Sequence, residues 1–227
     1  MLKVAVIIPA LNEEARIRTT IESVLAAGAD EVFVVDGGSS DRTAAVAAEL
    51  ATTIVLERPG RAAQQNAGAA LATGDVLLFL HADCQLSEKS LVELRRRCEH
   101  SAGFSAGCFR QRIDSAGFRY RITEAGNLWR VRLLRWAYGD QAIFMRADLF
   151  RKLGGFPDVP FLEDLRLMKM VKRHGTFLLL NSCVTVSARR WQRRGLLAQT
   201  LRNWAIVLAA QLGASPRWLA KFYPNDR

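Results

Sequence analysis

Continuous apolar runs stand at Val4–Ile8, Val32–Val35, Thr53–Leu56 and Val76–Leu80, and between them the apolar positions change to helical spacing. Unbroken runs of this length suit strands covered on both faces. Ile17, Ile21, Val24 and Leu25 share one helical face. Asn12 is placed to cap that helix, Glu13 and Glu14 suit its positive end, and Gly28 suits its exit. A second helix is predicted after Ser40-Asp41 and a third after Gly60. The β-α-β-α-β-α-β order predicts an α/β fold: a mostly parallel central sheet with helices on both faces. Ligands of such sheets bind at the carboxyl ends of the strands.

The second half is less regular. The pattern predicts a helix over Leu86–Cys98, a strand over 103–115 and a basic helix or loop over 117–136. A strand at Ala142–Met145, a helix over Leu162–Arg173, and two short strands at Phe177–Leu180 and Val184–Ser187 follow. An amphipathic helix over 196–213 comes last. No internal repeat, low-complexity tract or linker interrupts the chain, so residues 1–227 are read as one domain.

Composition narrows the classes. The 227 residues are enough for a sizeable core, and 50% apolar with 24% charged residues excludes a disordered chain. The net charge of +10 admits nucleic acid, anionic lipid or phosphorylated ligands as partners. No nucleic-acid-binding motif accompanies it, so no nucleic-acid partner is expected. Cys84, Cys98, Cys108 and Cys183 contain no CxxC pair, and their spacing suits neither a zinc site nor a disulfide framework. Reduced thiols in a cytosol are the expectation. The start, MLKVAVIIPALNEEA, is not expected to be a secretory leader, and no apolar run reaches the roughly 18 residues of a membrane span.

Chemistry-bearing residues cluster at the strand ends. The loop after the first strand, Pro9-Ala10-Leu11-Asn12-Glu13, has no glycine and so no dinucleotide-binding fingerprint. The second strand ends in Asp36-Gly37-Gly38-Ser39-Ser40-Asp41, where Gly38 lets backbone approach a ligand and Asp36 can accept from a base or ribose. An ordinary strand-to-helix turn explains the same residues. Gly68 lies inside a predicted helix at a cost of ~1 kcal/mol against alanine, which points to close packing. Arg61 at that helix's start opposes the macrodipole unless it serves an anion. The fourth strand delivers His81-Ala82-Asp83, whose carboxylate suits a hard divalent cation or, equally, a helix cap. Glu163-Asp164 could be acids at a helix's positive end.

Taken together, the pieces VIIPALNEE, VVDGGSSDRT, GRAAQQNAGAALATGDVLLFLHADC, GDQAIFMRADLF, FLEDLRL and RRW resemble the family-2 glycosyltransferases of GT-A fold. The match covers residues 3–192 and is similar to short bacterial members without membrane spans. It implies a nucleotide-binding half over 1–84, an acceptor half over 85–192 and a basic amphipathic helical tail over 193–227. The resemblance assigns Pro9, Leu11, Glu13 and Asp36 to base and ribose and places Arg61 near the nucleotide or diphosphate. Asp83 inherits the role of metal ligand for Mg²⁺ or Mn²⁺. The carboxylate usual two residues before it is here His81, which leaves the grip on the donor sugar open. Glu163-Asp164 aligns with the family's acid pair, and Asp164 is favoured over Glu163 as general base on an acceptor hydroxyl. Asp140 is expected to shape the acceptor side, with Arg190 and Trp191 flanking acceptor and diphosphate. The implied reaction is an inverting, metal-assisted transfer of a sugar from a nucleotide-diphosphate donor.

The stretch from Arg189 to Asn225 has no acidic residue, and Leu197, Leu201, Trp204, Leu208 and Leu212 can form one apolar stripe. That suits a helix lying on an anionic membrane surface, with a lipid-linked acceptor, or a helix packed on the core or in a homodimer. The expected location is the cytoplasm, free or peripheral on the inner membrane face. Residues 110–135 carry seven arginines against Asp114 and Glu124, as a solvated face or part of the acceptor side. Two other readings stay open: a non-catalytic nucleotide-sugar binder, and a sugar-nucleotide nucleotidyltransferase, which would need a Gly-rich first loop with a basic residue.

Overall fold

The structure, a computed structural model, describes residues 1–57, 60–215 and 218–219, with the side chains of 190, 193–194, 196–199 and 201 left undescribed. Four strands and three helices alternate through the first half: β1 (Val4–Ala10), α1 (Glu14–Ala26), β2 (Glu31–Asp36), α2 (Thr43–Ala48), β3 (Thr52–Val55), α3 (Arg61–Leu71) and β4 (Val76–Phe79). Then come β5 (Cys84–Leu86), α4 (Ser90–Glu99), β6 (Phe104–Asp114), α5 (Phe118–Leu134), a 3-10 turn at Gly139–Gln141, β7 (Ile143–Arg146) and α6 (Ala147–Lys152). The chain continues through α7 (Glu163–Val171), β8 (Thr176–Ser187), α8 (Arg189–Arg194) and α9 (Leu196–Gln211).

The strands form one sheet in the order β3-β2-β1-β4-β7-β6-β8-β5. The first four strands are all parallel, as the alternating pattern predicts, whereas β7 runs antiparallel to both β4 and β6. The sheet splits the core into two layers. Val4, Val6, Ile8 and Ala10 of β1 join α1, α2 and α4, while Ala5 and Ile7 face α3, α6 and α7. Continuous apolar runs thus feed both layers at once. Gly68 is the close approach that the sequence signals: a Cβ there would lie 2.6 Å from Ile7 Cγ2, so α3 rests directly on β1.

Several local expectations change. Asn12 does not cap α1; it sits at φ 53°, and its side chain accepts from the Ser40 backbone N–H instead. Leu25 is exposed rather than part of the buried face formed by Ile17, Ile21 and Val24. Leu86 belongs to a strand, because it pairs with Val184 of β8, and the helix starts only at Ser90. The two short strands expected near the end are one, β8, because Glu93 of α4 accepts from the backbone N–H groups of Asn181 and Ser182 and holds the polar interruption in line. The run at Thr53–Leu56 makes an edge strand, with β2 as its one neighbour. On α9, Trp204 and Leu208 are exposed while Ile206 is buried, so the described part of the apolar stripe faces outward; the side chains of Leu197 and Leu201 lie outside the described residues.

Candidate active site

Because β1, β2 and β4 are adjacent and parallel, their carboxyl ends open on one edge. Pro9, Leu11 and Glu13 come from the end of β1, Asp36 and Gly38 from the end of β2, and His81 and Asp83 from the turn after β4. The first two loops are laced together. Asn12 N–H donates to Ser39 Oγ at 2.8 Å, and Glu13 N–H donates to Thr43 Oγ1 at 2.8 Å. From the α3 side, the buried Gln64 donates its amide to both Ala10 O and Val35 O at 2.8 Å.

Asp36 is buried and turned on its own loop. It accepts from Gly38 N–H at 3.0 Å, from Ser39 N–H at 2.8 Å and from Ser39 Oγ. A carboxylate has about four acceptor sites, so one remains for a ligand. Gly38, at φ +84°, occupies the left-handed region that the turn requires. Glu13 is also buried, and Arg189 meets it at 2.9 Å. Arg189 also lies 3.9 Å from Asp83, bridging the first-strand loop to the loop after β4.

One cavity gathers Arg61, His81, Asp140, Glu163, Asp164 and Trp191 from five separate stretches of sequence. Glu163 is 3% exposed and pairs with Arg61 Nη1 at 3.6 Å, which gives the cation at the start of α3 its anion. Asp164 accepts from Gly139 N–H at 2.8 Å. Burial, and then the neighbouring Glu163 carboxyl, push the Asp164 carboxyl up to about 7, against the Gly139 N–H that favours its charged form. A carboxyl in that range can take a proton from a hydroxyl near neutral pH. Asp140 accepts from Gln111 at 2.7 Å. Arg190 lies in α8, but its side chain is outside the described residues.

His81, Asp83 and Cys84 offer donor atoms that all lie within 4.8 Å of one another. Imidazole and carboxylate suit a divalent transition ion, and the thiol adds a softer donor. Asp83 does not line the cavity of the acid pair; His81 belongs to both groups. Gly139 makes room for it, since a Cβ there would lie 2.4 Å from His81 Nε2.

Sequence reasoning missed Tyr138, Arg189 and the α9 residues Asn203, Ile206 and Val207, which close the cavity or its approach. For Arg189 a signal existed: a carboxylate in the glycine-free first loop, once buried, needs a countercharge. Tyr138 had none; it is placed by Arg130, whose guanidinium stacks 3.8 Å from its ring centroid.

The profile of the family described as "Glycosyl transferase family 2" matches residues 5–151. The chain is 30% identical over 194 residues to a probable glycosyltransferase, YdaM, of Bacillus subtilis, covering 73% of this chain and 45% of that protein. It spans about half the length of the curated relatives it matches. The fold is also that of TarS 1–349 from S. aureus crystallised with UDP, at a TM-score of 0.65 and 19% identity over 82% of this chain and 61% of that one. Glucosyl-3-phosphoglycerate synthase from Mycobacterium tuberculosis, crystallised with Mn²⁺, UDP and glucosyl-3-phosphoglycerate, superposes at a TM-score of 0.61 and 22% identity. That match covers 80% of this chain and 70% of the synthase. Both neighbours have the GT-A architecture of a mixed central sheet with flanking helices.

Proposed function

The chain belongs to glycosyl transferase family 2, and from that premise we propose that it moves a sugar from a UDP-sugar to an acceptor hydroxyl with inversion at the anomeric carbon. The observation that carries the reading is the shared cavity of Arg61, His81, Asp140 and the Glu163-Asp164 pair at the edge where β1, β2 and β4 end. UDP in the neighbouring structures supports the choice of nucleotide.

Pro9, Leu11, Glu13, Asp36 and Gly38 hold base and ribose, and the bonds between the first two loops set that surface before the donor arrives. Asp83 and His81 would hold a divalent cation, Mn²⁺ or Mg²⁺, which when bound would neutralise charge on the diphosphate. Asp164 takes the acceptor's proton. The acceptor oxygen bonds to the anomeric carbon, and the pair of the breaking C–O bond leaves on the nucleoside diphosphate. The comparison with inverting displacement at sugars is one of chemistry. Glu163, held by Arg61, stands beside Asp164 and, after burial, helps raise its carboxyl toward neutral pH. Asp140 and Trp191 line the acceptor side, and the family resemblance assigns Arg190 to flank acceptor and diphosphate. The basic, acid-free tail and the exposed Trp204 and Leu208 of α9 support a seat on an anionic membrane surface in the cytoplasm.

The test is thermal shift with UDP and UDP-sugars, with and without Mn²⁺. Saturation at 100 times Kd adds about 2.7 kcal/mol to stability. Stabilisation by UDP that depends on Mn²⁺ and is lost in Asp83→Ala supports the reading; indifference to UDP in both conditions overturns it.

A further inference from the structure

The cavity at the acid pair holds only about 100 Å³. That is below the several hundred cubic ångströms usual for a ligand pocket, so the body of an acceptor must lie elsewhere. A second cavity of about 570 Å³ runs between α5 and α9 and is inside that range. The two are continuous: Tyr138, Asp140, Trp191, Asn203 and Val207 line both.

The walls of this groove are apolar and aromatic. Four of the chain's five tryptophans, at 129, 136, 191 and 204, line it together with Leu133 and Leu208. Its rim continues outward on α5, where Phe118, Ile122, Trp129 and Leu133 are all exposed. At about 100° per residue these four fall within roughly 60° of arc. Trp204, Leu208 and Leu212 repeat the pattern across the groove. The one cation among its described lining residues, Arg130, is committed internally. Its Nε donates to Trp136 O at 3.0 Å, one terminal nitrogen to Asn127 at 2.9 Å and the other to Gln141 at 2.6 Å. Asp140, at the junction with the acid pair, disfavours an anionic head. Among the described lining residues, no cation is left to receive a phosphate or carboxylate.

We propose that the groove between α5 and α9 is the acceptor site, and that it takes a neutral amphiphilic alcohol whose hydroxyl reaches Asp164 while its apolar body lies along the two helices. This rests on the glycosyltransferase reading above and names its acceptor class.

The tryptophans supply the test. Bromoundecanol, below its micellar concentration, is titrated into the full chain while tryptophan fluorescence is followed, and bromoundecanoic acid serves as the anionic control. Saturable quenching by the alcohol is expected, about tenfold weaker with the acid and about tenfold weaker in Leu208→Glu. Leu208 is 61% exposed, so the variant keeps the fold. UDP binding with Mn²⁺, measured by calorimetry on the same samples, is expected to be unchanged by Leu208→Glu. If UDP binds but the alcohol does not quench, or quenches the variant equally, the acceptor proposal falls and the glycosyltransferase reading stands. If UDP also fails to bind, both fall. Tighter binding of the acid overturns the neutral head. A wild-type dimer that Leu208→Glu converts to monomer, with no quenching, means that a second copy covers the groove and overturns the proposal.

Discussion

Asp164 is partly buried between a backbone donor and a second carboxyl, and its two protonation states make opposite demands. As a base it must be unprotonated, so kcat/KM should rise with pH and level off near 7, where burial and Glu163 have moved it. Asp164→Asn should abolish that limb and lower turnover by roughly 10²–10⁴, with UDP affinity kept. The same shift has a cost in stability. An acid whose folded value is raised binds more protons when folded than when unfolded, so stability falls as pH climbs from about 4 to about 7. Asp164→Asn should therefore be more stable than the parent at pH 8, and the gap should close below about pH 4, as read by urea denaturation. An equal effect at both pH values would mean that Asp164 titrates normally. Gly139, which donates its N–H to Asp164, also packs against the imidazole of His81. An alanine Cβ would lie 2.4 Å from His81 Nε2, so the imidazole must move. Gly139→Ala should weaken Mn²⁺-dependent UDP binding while metal-free UDP binding stays near the parent's; equal loss of both would place the fault in the fold.

At the scale of elements, the ends of β1 and β2 are held by α3 as much as by each other. Gln64→Leu keeps the side-chain volume but removes both donations, leaving Ala10 O with Gly37 N–H alone and Val35 O without its Gln64 donor in a buried place. A loss of about 1–3 kcal/mol in stability and a lower UDP affinity are expected from denaturation and calorimetry. An unchanged UDP affinity would separate this staple from the site. The elements legible in the sequence are those made by local pattern. The runs at Val4–Ile8 and Val76–Leu80 gave β1 and β4 because both faces of these strands are covered, and Gly68 announced a close contact that no other residue fits. What was not legible depends on partners distant in sequence. Leu86 pairs with Val184, Asn181 and Ser182 are held by Glu93, and Asn12 bonds Ser40 rather than capping its own helix. Site residues followed the same division. Asp36, His81 and Asp83 are legible as candidates by type and place at strand ends, and Glu163-Asp164 by their place in the first turn of α7. Arg189 and Tyr138 matter through the buried Glu13 and through Arg130, which only the assembled fold brings to them.

At the scale of the whole molecule, charge and exposed apolar surface have to be read together. A net charge of +10 alone would draw the chain to any polyanion. The outward stripes of α5 and α9 add a requirement that nucleic acid does not meet and a bilayer does, since Phe118, Ile122, Trp204 and Leu208 need an apolar phase to leave water. Attraction should therefore come in two parts with different responses to salt. Flotation with anionic vesicles should be strong at low ionic strength and fall as the Debye length shrinks from about 10 Å at 0.1 M to about 3 Å at 1 M. The apolar part should survive that salt as a weaker residue of binding, and Trp204→Ser, at a side chain 67% exposed, should remove it without unfolding the protein. Binding that vanishes completely in high salt would leave the stripes without a role at the membrane, and equal binding to neutral vesicles would deprive the basic charge of one. If both parts appear, the geometry gains a direction. The groove between α5 and α9 opens between the two stripes, so an amphiphile leaving the bilayer would enter tail-bound and meet Asp140 and then Asp164 with its hydroxyl leading.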